Sequence, residues 1–440
     1  MRSRVAGILA PAVLLVFCSA AAFAQTTPGF SGALDPLFQR LLTRPSDLGN
    51  TLQYGADVAQ TSDVESAIST YEQLLFYNPG LSRTRFELGV LYFRLGSYDM
   101  ARGYFETALK MRDISPELRQ KAQDYVAAID RKLQPDQFTG FVQSGLGYQT
   151  NPGAGPGQQG ALASGRFFDP RFFAHPDGNW FGAFGLNYVH DFEDQNSDTF
   201  EASFIGYDAQ QFALHQFDIG LLEMRAGPRF GIPTDNPAAG LSIKPYLVAT
   251  GGLLADVPYY DGLGGGLTLH ANAGDVAFDP YVEVVQQSYR NSSFYPLASG
   301  LSGTLSTYAL RVSAPLAAGL SLQARAGFAH TDAASSFDGY GSYAADVWLP
   351  WNFSLPGDSR IWTLTPTAGV SYWLYAAPDP TIDPLVTPRT TEWRVGLGLD
   401  IPIWQQVVLG LLVQYRDDVS NVSTFSMHDL AVSGGPMLKF

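Results

Sequence analysis

The sequence contains almost no cysteine, little charge and, beyond its N-terminal segment, no long apolar run. Cys18 is the only cysteine in 440 residues, which excludes an internal disulfide framework and a cysteine-based metal site. Charged residues account for 15% of the chain. No later segment supplies the roughly 20 apolar residues that a membrane-spanning helix needs. Such a chain must bury its apolar side chains in sheets or expose them to lipid.

The N-terminal segment has a basic start, an apolar run and a small-x-small pattern, which are typical of a secretory signal peptide. We therefore expect residues 1–24 to be a signal peptide and residues 25–47 to be a linker. Removal of the signal peptide leaves no cysteine and 25 basic side chains against 41 acidic ones. This acidic balance argues against a nucleic-acid partner, because phosphate binding needs a basic surface.

The last segment of the chain alternates in polarity and ends in an aromatic residue. Its apolar face holds Leu430, Val432, Leu438 and Phe440. Such a strand can meet lipid on one side and water on the other. A final strand that ends in phenylalanine resembles the C-terminal insertion signal of bacterial outer-membrane β-barrel proteins. The resemblance implies that barrel-assembly machinery is a partner through Phe440 and that outer-membrane lipid surrounds the barrel.

From residue 136 onward, segments of about ten residues alternate in the same way. In the clearest segment, Trp393, Val395 and Leu397 share a face, with Glu392 and Arg394 opposite. We predict a transmembrane antiparallel β-barrel of fourteen strands over residues 136–440. Sixteen strands is the alternative, because residues 166–173 are also strand-like. An even count puts both barrel ends on one side, which we expect to be the periplasm.

Residues 48–135 predict a short helical domain, so the expected fold class is α + β multidomain. Two stretches superpose at an offset of 34 residues, the tetratricopeptide (TPR) period. The clearer stretch combines small residues, where paired helices approach, with large ones in the seam, and it resembles the TPR motif: Leu88, Gly89, Tyr92, Tyr98, Ala101 and Phe105. TPR units form a groove suited to a peptide or partner protein. An ordinary helical hairpin is the alternative.

The polar faces of the predicted strands are the place where a functional site is expected. The residues predicted to line the lumen carry both signs of charge: Glu283, Arg311, Arg325, Glu392, Arg394, Asp400 and Arg416. A network of ion pairs that holds the barrel shape and a polar path for a passing molecule both remain open as interpretations. The mixture of signs argues against a strongly ion-selective pore.

No group of residues in the sequence indicates an enzyme. The six histidines have no spacing typical of a metal site. Ser426, His428 and Asp429 are close in sequence, but neighbouring residues of a strand face opposite ways and cannot form a triad by themselves. We therefore predict a protein that is not an enzyme and has no cofactor.

The overall layout is similar to the surface lipoprotein assembly modifier (Slam) family, in which periplasmic TPR repeats precede an outer-membrane barrel. The similarity covers nearly the whole chain after the signal peptide, and Tyr148-Gln149-Thr150-Asn151-Pro152 resembles a family motif at the domain junction. It implies that the TPR domain recruits a periplasmic client protein or lipoprotein and that the barrel assists its translocation to the cell surface. Two alternatives share the layout: a polysaccharide-export porin, and a passive porin or structural barrel.

Overall fold

A computed structural model gives the fold of most of the chain. It describes residues 64–157, 169–234, 239–358 and 360–440. The chain divides into a helical unit that ends at Gln137 and a barrel unit that begins at Phe138. The predicted signal peptide (1–24), the linker (25–47) and residues 48–63 of the predicted helical domain lie outside the described residues.

The helical unit contains four described helices. They are α1 (Val64–Tyr77), α2 (Ser82–Arg94), α3 (Tyr98–Lys110) and α4 (Pro116–Lys132). Helix α4 begins where Ser115 Oγ accepts a hydrogen bond from the Leu118 amide at 3.2 Å, with proline in the first turn. Ser82 at the start of α2 donates hydrogen bonds to the Asp113 carboxylate, and these lower the pKa of Asp113. None of the described helices is long and apolar enough to cross a membrane.

Of the residues predicted as the TPR core, Leu88 packs against α1, whereas Ala101 and Phe105 belong to a second cluster with α2 and α4. Leu88, Ala101 and Phe105 are fully buried. A Cβ atom on Gly89 would lie only 2.7 Å from the Phe105 ring, so the two helices approach each other closely at this glycine. Tyr92 is partly exposed and stacks on a neighbouring tyrosine ring at 5.4 Å.

The barrel unit contains fourteen antiparallel strands. They are β1 (Asp136–Gln149), β2 (Asp177–Asp191), β3 (Thr199–Gln211), β4 (Ile219–Gly231), β5 (Ser242–Leu254), β6 (Val257–Ala273), β7 (Val276–Tyr289), β8 (Gly303–Ala317), β9 (Leu320–Ala333), β10 (Tyr340–Trp348 and Trp351–Phe353), β11 (Trp362–Tyr375), β12 (Arg389–Pro402), β13 (Val407–Ser420) and β14 (Met427–Lys439). Strand β10 has two segments because the chain is interrupted for two residues, and both segments pair with β9 and β11.

The sheet closes on itself because β1 pairs with β14. The Gly140 amide donates to the Phe440 carbonyl at 2.9 Å, and the Phe440 amide donates to the Gly140 carbonyl at 3.0 Å. Closure leaves no open sheet edge, as a barrel in lipid requires. The prediction of a fourteen-stranded barrel is confirmed.

The sixteen-stranded alternative is wrong, because fourteen described strands already complete the ring. In the part of the predicted extra strand that the structure describes, Pro170–Phe172 forms a 3-10 turn. The Asp169 carboxylate accepts the Arg171 amide at 3.1 Å, and Pro170 has no amide hydrogen for a sheet ladder. Local capping therefore outweighs the strand-like pattern there.

The strands alternate between an apolar outward face and a polar inward face. On β12, Trp393 and Val395 are 55% and 54% exposed, whereas Glu392 is 2% exposed. Large apolar side chains extend this outward face around the ring: Val142, Trp180, Leu222, Leu247, Leu263, Val284, Tyr308, Tyr343, Tyr372, Val413 and Val432. An outward apolar band with a polar interior is the pattern of a transmembrane barrel.

The two ends of the barrel differ. Strand β1 begins and β14 ends at one end, which we call the terminal end, where connections such as 274–275 and 318–319 are short. At the opposite, distal end, longer loops fold over the inward faces of β2 to β7. The resulting apolar cluster, the distal core, contains Phe172, Phe181, Ala209, Phe217, Ile219, Leu221, Leu254, Tyr259, Tyr289, Tyr295, Ala298 and Leu301.

Candidate functional site

The lumen holds the residues that the sequence singled out as a site. Strand register and alternation place all seven at inward-facing positions: Glu283, Arg311, Arg325, Glu392, Arg394, Asp400 and Arg416. They do not form one cluster. Most belong to ion-pair networks on opposite sides of the ring, and two arginines stand apart from those networks.

The first network lies on strands β4 to β7. Arg225 Nε donates to Glu283 Oε2 at 2.8 Å, and its guanidinium also pairs with Glu223. The Tyr246 hydroxyl donates to the same Glu283 oxygen at 3.1 Å. Gly266 lies between Tyr246 and Glu283 in the register, and a Cβ there would clash with the Tyr246 ring. The glycine therefore lets a tyrosine reach across one whole strand.

The second network lies on strands β10 to β13. Arg394 pairs with Asp346 at 2.6 Å and with Glu392, while Arg416 pairs with Glu392 at 2.7 Å and with Asp418 at 2.8 Å. Glu392 is the centre of this network and is almost completely buried. A buried carboxylate needs such partners, because an unpaired charge out of water is costly.

A glycine again permits the longest contact of the second network. Gly369 on β11 is the register partner of both Asp346 on β10 and Arg394 on β12. A Cβ atom at this position would lie 3.0 Å from Arg394 Nη2 and closer still to Asp346 Oδ1. The ion pair between β10 and β12 thus passes directly over a residue without a side chain.

Asp400 and the two remaining arginines differ in their partners. Asp400 pairs with Lys439 at 2.8 Å near the terminal end. The Arg311 guanidinium lies 4.6 Å from the Tyr281 ring centre, a cation–π contact. Arg325 Nε is buried without a hydrogen-bond partner. Among the described residues, neither arginine forms an ion pair with a carboxylate.

Sequence reasoning missed several residues of these networks. Asp346, Asp418 and Tyr246 were not predicted as part of the site, although each falls on the inward phase of its strand. The same period of two that identified Glu392 identifies them once the strand limits are known. For Asp418 the missing information was the end of the strand, because β13 continues to Ser420.

The lumen contains two adjoining cavities of about 250 Å³ and 180 Å³. Trp348, Thr367 and Gln414 line both of them. The larger cavity reaches Asp400 and strands β1 to β3, and the smaller one reaches Arg325 and β8. The cavities therefore border strands β8 to β14 and β1 to β3, and the larger one meets the distal core at Phe181.

The asparagine motif that suggested a family resemblance organises the first distal loop. Asn151 Nδ2 donates to the Gly155 carbonyl, and the Gly155 amide donates back to Asn151 Oδ1, each at 2.9 Å. Asp429 on β14 accepts the Asn151 amide at 2.8 Å and the Thr150 hydroxyl at 3.0 Å. The motif therefore has a local structural role, which is to fasten the loop to the barrel seam.

The structure does not bring Ser426, His428 and Asp429 together. His428 and Asp429 alternate on opposite faces of β14, and Asp429 is occupied by the first distal loop. Ser426 Oγ instead accepts the Ser420 amide at 3.0 Å. Across the described ranges, no group of three or more histidine, cysteine or acidic residues is arranged to hold a metal ion.

The closed ring, its even number of antiparallel strands, the outward apolar band and the polar lumen define a transmembrane β-barrel of the outer-membrane class. No known protein family matches the chain, and no curated protein matches it.

Solved structures with a similar fold include three outer-membrane channels. The anion-selective porin from Comamonas acidovorans is 10% identical, with a TM-score of 0.34 over 69% of this chain and 99% of that chain. OprB of Pseudomonas putida is 10% identical, with a TM-score of 0.34 over 73% and 96%. The channel DcaP of Acinetobacter baumannii is 9% identical, with a TM-score of 0.35 over 69% and 97%. The likeness concerns the fold alone.

Proposed function

We propose that the barrel is a narrow diffusion channel for small polar solutes in the bacterial outer membrane. The observation that carries this proposal is the pair of adjoining cavities, about 250 Å³ and 180 Å³, inside a closed barrel. Pockets for drug-sized molecules measure roughly 300–1,000 Å³, so these spaces suit small solutes. Polar and charged side chains line them and can replace part of the hydration shell of a solute.

The packing of the lumen favours a channel over translocation of a client protein. Loop residues such as Phe172, Phe217 and Tyr295 are buried in the distal core. A folded client would have to unpack this core, whereas a small solute can use the cavities beside it. The Slam-like function expected from the resemblance has no support in the comparisons.

The polysaccharide-export alternative receives no support from the charges of the lumen. Such a porin is expected to concentrate one sign, and here most inward cations pair with carboxylates. A structural barrel would not need cavities, so the diffusion channel remains the best account of them.

The helical unit is proposed separately to bind a periplasmic partner. Three of the six residues predicted for a partner groove, Leu88, Ala101 and Phe105, are fully buried in the packing between the helices. Tyr92 and Tyr98 are partly exposed, so any periplasmic partner would meet these tyrosines rather than the buried set.

Conductance measurements test the channel function. Purified full-length protein, inserted in planar lipid bilayers, should give small unitary current steps. Gln414→Trp, which fills the shared part of the two cavities, should lower the unitary conductance at least about twofold. Val413→Trp adds the same ring one residue away on the lipid-facing side and should leave the conductance unchanged.

Folding must be checked for each variant by heat-modifiable migration on a gel. If the folded protein gives neither current steps nor uptake of small solutes into liposomes, the channel proposal is wrong. An equal effect of the two tryptophan variants would show that current does not pass through the cavities.

A further inference from the structure

Two inward-facing arginines lie side by side in the lumen. Arg311 on β8 and Arg325 on β9 are direct register partners. Side chains at such positions have Cβ atoms about 4.5–5.5 Å apart, and like charges there repel each other. A barrel gains no stability from this arrangement by itself, so the pair needs another explanation.

The nearest carboxylates in the register are occupied by other cations or by histidine. Asp279, the partner of Arg311 on β7, lies 2.7 Å from His270 Nδ1. Asp346, the partner of Arg325 on β10, forms the 2.6 Å ion pair of the second network. Neither arginine therefore forms an ion pair with these two carboxylates.

Arg311 and Arg325 differ in their pairing from the other inward-facing cations of the described strands. Each of the other inward-facing lysines and arginines pairs with a carboxylate: Arg225, Arg229, Lys244, Arg394, Arg416 and Lys439. These six cations form ion pairs that link neighbouring parts of the barrel wall. Arg311 and Arg325 form the exception, and Arg325 lines the smaller cavity.

The surroundings of the two arginines suit an anion. Arg325 lines the smaller cavity, and its buried Nε is a donor without an acceptor. The Tyr281 ring holds the Arg311 guanidinium from one side and leaves its N–H groups available. Guanidinium groups bind carboxylates and other oxyanions with two parallel hydrogen bonds.

We propose that Arg311 and Arg325 form an anion-binding station that selects small solutes bearing a carboxylate or a similar oxyanion. The proposal rests on the proposed channel function and specifies its solute class. An oxyanion at the station satisfies the free donor of Arg325 and offsets the repulsion between the two guanidinium groups. Anionic solutes thereby enter the lumen more readily than neutral solutes of equal size.

Uptake of gluconate and glucose into liposomes tests this station, because the two solutes have similar size and differ in charge. Full-length protein is inserted in neutral vesicles, with valinomycin present so that potassium accompanies gluconate. A unit-charge attraction at about 4 Å in water corresponds to roughly a fivefold change in occupancy. The ratio of gluconate to glucose uptake should therefore fall about fivefold in the double variant Arg311→Gln/Arg325→Gln, with glucose uptake unchanged.

Two control variants separate this site from general charge effects. The double lysine variant, Arg311→Lys/Arg325→Lys, keeps both charges and should retain most of the preference for gluconate. Arg290→Gln removes one positive charge from an exposed residue of a distal loop and should leave the ratio unchanged.

The outcomes distinguish the station from the channel itself. An unchanged uptake ratio in the folded glutamine variant overturns the station and leaves the channel standing. Absence of uptake of both solutes by the folded parent protein overturns the channel. If the double variant does not fold, the single variant Arg311→Gln is used, because Arg311 is exposed and its side chain contacts a tyrosine ring. This variant should lower the ratio of gluconate to glucose uptake at least about twofold. An unchanged ratio again overturns the station.

Discussion

Substitution of Gly369 by alanine should separate an ion pair of the lumen without removing either charge. Asp346 and Arg394 approach to 2.6 Å across β11, with Gly369 between them. An added Cβ would lie 3.0 Å from Arg394 Nη2 and closer to Asp346 Oδ1, inside normal contact distances. The two side chains must therefore move apart, or the strand must shift.

The expected loss can be worked out from the burial and the remaining partners. The Asp346 and Arg394 side chains are only 10% and 14% exposed, and loss of one partner of such a buried pair costs about 3–5 kcal/mol. Separation costs less, about 1.5–3 kcal/mol, because Arg394 keeps Glu392 and the Ser371 hydroxyl at 2.9 Å. Alanine regains about 0.5–1 kcal/mol over glycine in a strand. We expect a net loss of about 0.5–2.5 kcal/mol in the free energy of unfolding.

Urea unfolding in lipid vesicles, followed by tryptophan fluorescence, measures this loss. Gly398→Ala on the inward face of β12 is the matched control, because its Cβ would lie 3.7 Å from Thr365 Cβ, which is ordinary contact. The control should be neutral or slightly stabilising. In an Asp346→Ala background the cost of Gly369→Ala should largely disappear. Equal stability of the two glycine variants, or an undiminished cost in that background, would refute the steric reasoning.

Two further substitutions probe the helical unit and the distal core. Gly89→Ala should destabilise the packing of α2 on α3 by about 1–3 kcal/mol, because the new methyl group would lie 2.7 Å from the Phe105 ring. Faster hydrogen exchange in α2 and α3 of the full chain measures the effect. Gly103→Ala is the control and should not accelerate exchange, because its Cβ would have nothing within 4 Å. Tyr295→Phe removes the 2.9 Å hydrogen bond from the Tyr295 hydroxyl to the Gln216 carbonyl, so exchange in the loop 212–218 should rise about fivefold, equivalent to about 1 kcal/mol; unchanged exchange would contradict a joint packing of the two loops.

The strands could be predicted from the sequence because their alternation is local. Trp393 and Glu392 lie on opposite faces of β12 because successive side chains of a strand alternate. This alternation can be read without knowledge of the neighbouring strands. The same rule places Arg311 and Arg325 inward. Fourteen such segments, the last of which leads to Phe440, were enough to identify the barrel class.

The partners of the inward charges could not be predicted in this way. Asp346 and Arg394 lie 48 residues apart, and their contact depends on the register of three strands and on Gly369 between them. A shift of one residue in any of these strands would place one member outside the lumen. Alternation therefore identifies which residues face inward, whereas pairing requires the complete ring.

The distal core was beyond sequence reasoning for a different reason. Its loop residues, including Phe172, Phe217 and Tyr295, follow no period, because loops pack through individual side chains rather than a repeated face. Sequence reasoning also assigned family significance to Asn151, whose side chain forms a local turn with Gly155. These loops decide how much of the lumen remains open, so the width of the passage could be judged only from the structure.

Gly369 links the stability of the barrel to the proposed selectivity of its lumen. Asp346 lies between two cations, Arg325 on β9 and Arg394 on β12, and it pairs with the more distant one because the intervening position has no side chain. A methyl group at Gly369 blocks that direction and leaves Arg325 as the accessible partner. Gly369→Ala should therefore neutralise part of the anion station and lower the ratio of gluconate to glucose uptake, although it removes no arginine. Gly398→Ala should not change the ratio, so a fall in both variants would contradict the assignment of this role to Asp346.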